Sequence, residues 1–300
     1  MMSSPTPLRA GIGLKPDYYR AVHEAGAGGD ISSVHDRDGF WVEVHPENYM
    51  TGGGPRLAWL DAIAARWPVS LHGVGASLGG AEPVDPDHLK RLKALVDRFE
   101  PALVSEHVAW SGRRGVYFAD LLPLPATREA LDDLVANIDQ MQHALGRSIL
   151  IENPALYLSL HGDLEEPEFL IEACRRAGCG LLLDVNNVFV CARNLGRDPI
   201  AYLNAIPPDL VGEIHIAGHT PDARLGQALL IDSHGAPVDE QVWALYALAI
   251  ARLGPRPTLI ERDANLPPFA ELMAERGRAQ SLLTDQNRHA ARQTPEQAHA

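Results

Sequence analysis

The sequence predicts an α/β fold, a (β/α)₈ TIM barrel, and three observations carry that prediction. Eight short runs rich in Val, Ile or Leu recur along the 300 residues, and most of them end in polar residues. Helical patterns fall between them, and no linker divides the chain. Near-continuous apolar runs suit strands buried on both faces, as in a parallel sheet. Strand and helix in alternation give a parallel α/β architecture, and eight strands in one chain of this length favour a closed barrel over an open sheet.

The runs are GIGL (11–14), FWVEVH (40–45), VSLHG (69–73), LVSEHV (103–108), SILIEN (148–153), GLLLDVNN (180–187), GEIHIAG (212–218) and TLIERD (258–263). A helical period covers 87–98. The spacing predicts a helix over 127–145 with Thr127 as N-cap and Glu129, Asp132 and Asp133 near its positive end. Another runs over 167–177, from Pro167 to just before Gly178. A further one covers 239–253, from Asp239 to just before Gly254 and Pro255. The expected organisation is a flexible tail over 1–9, one barrel domain over 10–283, and a polar, disordered tail over 284–300.

A formal net charge of −13 repels phosphate backbones, which excludes nucleic acid as an expected partner. The N-terminus has no apolar signal core, and no window has the roughly 18 apolar residues of a membrane span. The expectation is a cytoplasmic protein without membrane contact. Cys174, Cys179 and Cys191 form neither a disulfide framework nor a paired zinc motif and read as idle thiols, with Cys191 just beyond a strand end. The chain has no dinucleotide fingerprint, P-loop or GxSxG elbow, and the glycines at 52–54 read as a loop.

The chemistry lies in the polar residues that end the runs: Glu43 and His45, His72, Glu106 and His107, Glu152 and Asn153, Asp184, Asn186 and Asn187, His215 with His219 beyond, and Glu261 and Asp263. In a parallel barrel these ends share one face around one axis. Several carboxylates buried together repel one another, and a bound cation removes that cost. Nitrogen and oxygen donors without cysteine suit iron, manganese or zinc. The loop IDSHG (231–235) adds Asp232 and His234. The metal candidates are then His72, His107, Glu152, Asp184, Asn187, His215, Asp232, His234 and Glu261. One ion takes about four to six ligands, so the set implies two or three ions with a bridging carboxylate. Glu152, Asp184 and His215 are the expected catalytic residues. Glu43, His45, Asn48 and Trp110 are expected to meet substrate, and Tyr117 and Arg262 are weaker pocket candidates. Glu106 should point to the other side of its strand. His23, His35, His88, His143, His161 and His289 are expected to be solvated.

Seven segments also carry a family resemblance: SLHGVGASLG (70–79), SEHVAWSG (105–112), ILIENPA (149–155), LLLDVNNVFV (181–190), EIHIAGH (213–219), DSHG (232–235) and LIERDANLP (259–267). Over residues 10–283 the chain resembles the DUF692 (UPF0276) family, the multinuclear non-haem iron-dependent oxidases. The resemblance implies a TIM barrel with two or three iron ions of mixed Fe2+/Fe3+ valence and O2 as co-substrate. It implies modification of cysteine in a ribosomally made precursor peptide, often presented by a separate partner protein. It places the family's ligands on the same nine candidate positions. The strand-end pattern is similar as well to the xylose isomerase and endonuclease IV barrels, so a zinc or manganese isomerase or phosphoesterase is the alternative. Sugar isomerisation usually wants a lysine near the metals, and Lys15 is the one candidate at a strand end. A non-catalytic metal scaffold would close with four ligands and is disfavoured by so many donors.

Overall fold

The computed structural model describes residues 7–26, 39–113 and 115–293. Eight strands form the barrel: β1 (Ala10–Gly13), β2 (Val42–Val44), β3 (Val69–Gly73), β4 (Leu103–His107), β5 (Leu150–Glu152), β6 (Gly180–Asp184), β7 (Val211–Ala217) and β8 (Thr258–Glu261). All pairs are parallel, and β8 closes on β1. Each strand lies within or one residue away from its apolar run. The strands are almost wholly buried, as near-continuous apolar sequence requires.

The helices are α1 (Tyr19–Gly26), α2 (Pro55–Ala64), α3 (Pro86–Phe99), α4 (Arg128–Leu145), α5 (Glu166–Ala177), α6 (Val185–Leu195), α7 (Pro199–Ala205), α8 (Glu240–Leu253) and α9 (Phe269–Gln293). Local chemistry sets their ends. The Thr127 hydroxyl accepts from Ala130 N at 3.2 Å, the Asp239 carboxylate caps α8, and left-handed Gly146 and Gly178 stop α4 and α5. The glycines at 52–54 form a loop before α2, as expected.

The run at 180–187 divides: its last three residues start α6 directly after the strand. The Asp184 carboxylate accepts from Asn187 N at 2.6 Å and so caps the helix at the strand's last residue. Asn186 and Asn187 therefore stand on the first helical turn, and Cys191 lies buried within the same helix.

Two hairpins, Trp110–Arg113 with Val116–Leu122 and Thr220–Asp222 with Gly226–Ile231, follow β4 and β7 at the C-terminal mouth. Neither is among the expected strands, because their exposed positions need no apolar run.

The tails also differ from expectation. Residues 1–6 lie outside the described residues, but Arg9 N donates to Gly39 O and Arg9 O accepts from Thr258 N, each at 2.8 Å. The segment over 284–293, expected to be disordered, continues α9, since no Gly or Pro interrupts it before Pro295. Residues 294–300 lie outside the described residues.

Candidate metal centre

Barrel register, more than sequence spacing, decides which strand ends meet. His107 on β4 is the register partner of Glu152 on β5, and Asp184 on β6 is that of His215 on β7. His72 Nε2 and His107 Nε2 both approach Glu152 Oε2, at 3.1 and 3.0 Å. The far nitrogen of each ring is anchored. His72 Nδ1 hydrogen-bonds Ser105 Oγ at 2.8 Å, and His107 Nδ1 donates to Gly73 O at 2.9 Å. This leaves each Nε2 pointed at shared space, the orientation a metal-binding imidazole takes.

A second group gathers across the mouth. Asp184, His234 and Glu261 present ligand atoms within 4.8 Å of one another. His234 Nε2 lies 2.8 Å from Asp232 Oδ1, and its Nδ1 is 3.2 Å from Asp263 Oδ2 and 3.5 Å from Glu261 Oε1. Asn187 donates from Nδ2 to Asn153 O at 3.1 Å and to Glu152 Oε1 at 3.4 Å, so its Oδ1 is left to face the centre. Asn186 holds Asp232 Oδ1 at 2.7 Å and takes His219 Nδ1 on its own oxygen at 2.9 Å.

His215 links the groups. Its Nδ1 is 3.1 Å from Glu261 Oε2, and its Nε2 lies 3.2 Å from Glu43 Oε1 and 3.4 Å from Glu213 Oε1. His72, Glu152 and His215 form one possible metal cluster and Glu43, Glu213 and His215 another. Glu213 was not singled out in the sequence. Its signal was there: residues 213 and 215 share a face of β7 by strand alternation.

The electrostatics reflect packed opposite charges. Burial opposes ionisation of Glu152, yet His107 and His72 hold its carboxyl down at about 2. Burial disfavours the His72 imidazolium, but Glu152 and Glu43 raise it to about 10. Burial and the neighbouring Glu43 push Glu213 up to about 8. Asp184 is pushed well up by burial, Glu152 and Asp232. Glu261 is held well below the usual carboxylate range, because His234 and His215 outweigh its burial.

These donors fit metal ions. Asp184 Oδ2 and Asn187 Oδ1 are buried without a partner, and His72 Nε2, Glu152 Oε2, His215 Nε2 and His234 Nε2, also buried, meet charged neighbours without a well-formed hydrogen bond. A buried polar group left unpaired costs about 1–3 kcal/mol, and cations would satisfy the whole set at once. The donors are nitrogen and oxygen only, which suits iron, manganese or zinc.

Eight of the nine metal candidates thus contribute donors around this mouth directly, and Asp232 joins through His234. The substrate candidates separate. Glu43 is 4% exposed and contacts His215, its Oε1 3.2 Å from that imidazole's Nε2. His45 stands at the rim, its Nδ1 donating to His72 O at 3.1 Å and its Nε2 3.8 Å from Asp263. Asn48 is exposed on a 3-10 turn. Trp110 is packed in the first hairpin, bonded to Pro123 O at 2.8 Å and edge-on to Phe118. Tyr117 is exposed, and Arg262 turns to Glu275 at 3.1 Å on α9. Lys15 ion-pairs with Asp263, so the strand-one lysine does reach the edge of the site. Glu106 faces away from the centre, as alternation requires, but His88 is buried beside it and is not solvated, because α3 packs its N-terminal turn over that face of β4. His35 lies outside the described residues.

Comparison with known proteins identifies the family and the barrel. Residues 9–284 match the family described as RiPP precursor modification enzyme MbnB/TglH/ChrH. A UPF0276 protein of Caulobacter vibrioides is 58% identical over 275 residues, covering 91% of this chain and 94% of the relative. A UPF0276 protein of Bordetella parapertussis is 48% identical over 280 residues, covering 92% and 93%. Among solved structures, D-psicose 3-epimerase from Clostridium cellulolyticum superposes with a TM-score of 0.54 at 10% identity, covering 94% of this chain and 99% of that one. Endonuclease IV from Thermus thermophilus gives 0.56 at 16% identity, covering 92% and 99%. At such identity these two likenesses concern the barrel alone. The chain belongs to the MbnB/TglH/ChrH (DUF692, UPF0276) family of RiPP precursor modification enzymes.

Proposed function

We propose that this chain is an iron- and O2-dependent oxidase that modifies cysteine in a ribosomally made precursor peptide. The observation that carries the reading is the ring of buried nitrogen and oxygen donors at the mouth, where His215 and Glu261 each belong to more than one possible cluster. Shared residues of that kind suit two or three neighbouring ions better than one. Bound iron would supply O2 activation and a Lewis-acid hold on a cysteine thiolate.

The protein's part is positioning and protonation. His72, His107 and Glu152 form one proposed metal position, while Asp184, Asn187, His215, Asp232, His234 and Glu261 supply the others. Ser105 and Gly73 O fix the two imidazoles so that each Nε2 stays free. Glu152 is ionised at neutral pH and faces both histidines, so the three would hold one ion together. Of the three cysteines, all buried, Cys191 lies on α6, and burial pushes its thiol up to about 12. The reacting sulfur is therefore assigned to the substrate. A separate protein that presents the peptide, and a cytoplasmic setting in which thiols stay reduced, belong to the same reading. Among the described residues no helix is long and apolar enough to cross a membrane.

The test is metal content on anaerobically purified protein, with O2 uptake in the presence of a cysteine-containing precursor peptide. About two or three irons per chain are expected, falling in His107→Ala and Glu152→Ala, and the peptide's Cys→Ser version should not be converted. Full zinc or manganese occupancy with no O2 uptake after iron loading would move the assignment to an isomerase or phosphoesterase.

A further inference from the structure

A second set of donors lies behind the strand that carries His107. Glu106 precedes it on β4 and is 1% exposed on the opposite face. His88, on the first turn of α3, is 7% exposed beside it. Glu47, from the 3-10 turn Pro46–Tyr49 that follows β2, completes the group. One ligand atom from each of the three lies within 4.8 Å of the others, and none of the three belongs to a cluster at the barrel mouth.

Their hydrogen bonds aim these groups without saturating them. Glu47 Oε1 accepts from Val74 N at 3.0 Å. Glu106 accepts from His107 N at 3.3 Å on one oxygen and from Ala76 N at 3.4 Å on the other. Glu47 Oε2 and His88 Nε2 are buried and have no hydrogen-bond partner. His88 Nε2 stands 3.9 Å from Glu47 Oε1, too far for a hydrogen bond yet close enough for one small ion to touch both. Gly75 lets the loop pass this close, since a Cβ there would lie 3.0 Å from Glu47 Oε1 and 3.2 Å from His88 Cε1. A cavity of about 560 Å³, lined by Glu47, Ser77, Asp85 and His88 among others, adjoins the group and gives an ion and its water a way in.

We propose that Glu47, His88 and Glu106 bind one divalent cation, zinc or manganese(II), at a site separate from the barrel mouth. One imidazole and two carboxylates match the donor preference of both ions, and the remaining coordination positions fall to water from the cavity. The bound ion ties together the turn after β2, the N-terminal turn of α3 and β4. It thereby braces the segment Gly73–Ala76, whose first carbonyl anchors His107.

The experiment uses the full chain with the barrel mouth filled first with iron under anaerobic conditions, then titrated with Zn2+ or Mn2+ alone. The wild type should take up one equivalent more than Glu47→Gln and His88→Gln, while iron retention is the same in all three. Crystals of the wild type soaked in the same ion should show an anomalous peak between Glu47, His88 and Glu106, a readout that stands even if a variant fails to fold. Equal uptake by wild type and folded variants, or no peak at that position beside a filled barrel mouth, overturns the proposal.

Discussion

His72 and Glu152 face each other as acid and base, and in the absence of metal the proton sits on the imidazole. His72 is raised to about 10 and Glu152 lowered to about 2, so at pH 7 the pair is charged. A metal ion must displace that proton. Metal loading of the stripped protein should therefore release protons near neutral pH, and affinity should rise with pH up to about 10. Unbuffered titration with a pH electrode measures this, and uptake without acidification would contradict it. Stability of the stripped protein follows with the opposite sign. A raised histidine stabilises fully below its unfolded value of 6.5 and loses that contribution as pH climbs to about 10. Glu213, raised from 4.5 to about 8, adds in the same direction, since ionising it in the fold is unfavourable. Thermal midpoints of stripped protein should fall between those limits, and metal-loaded protein should resist the fall. Gly218 gives a steric test: a Cβ there would lie 2.0 Å from Ala236 O and 2.5 Å from Pro237 O, both backbone. Gly218→Ala should cost about 1–3 kcal/mol in urea unfolding by overpacking and displace the loop that bears Asp232 and His234.

At the scale of elements, Asp184 serves helix and site with different oxygens. Oδ1 caps α6 through Asn187 N, while Oδ2 is free for a metal. Asp184→Asn can keep the cap and loses the charge, so it should retain the fold but lose metal. Asp184→Ala should lose both, with about 1 kcal/mol of the stability loss due to the cap alone. Circular dichroism and metal analysis on the two variants separate these roles. Thr127→Ala removes a cap far from the metal centre and should cost about 1 kcal/mol with metal content unchanged. The Thr127 cap was legible because a side chain and a backbone donor three residues on settle the matter locally, and the helix expected from Asp239 starts one residue later with Asp239 as its cap. The exposed strand Val116–Leu122 was not legible, since its pairing depends on Trp110–Arg113 and not on an apolar period.

For the whole molecule, α9 completes the barrel by covering β1. Arg276 Nε donates to Ala10 O at 2.9 Å, Gln280 Oε1 accepts from Ala10 N at 3.3 Å, and Leu272, Ala279 and Leu283 are buried. A chain ending at residue 268 should fail to give a cooperative thermal transition by circular dichroism, whereas one ending at residue 293 should melt as the full chain does. Sequence by itself determined the eight apolar runs, the helices between them, the donors at the strand ends and the face they share. Those follow from periodicity and local capping, which act over a few residues. Tertiary structure alone decided which donors touch. Register set His107 against Glu152 and Asp184 against His215, and pairing of β8 with β7 carried Glu261 beside His215. It also drew Glu213 and Glu43 against His215 and buried His88 against the outer face of β4. Contacts of that kind join residues tens to hundreds of positions apart, and only a closed barrel fixes the rotation of each strand that brings them together.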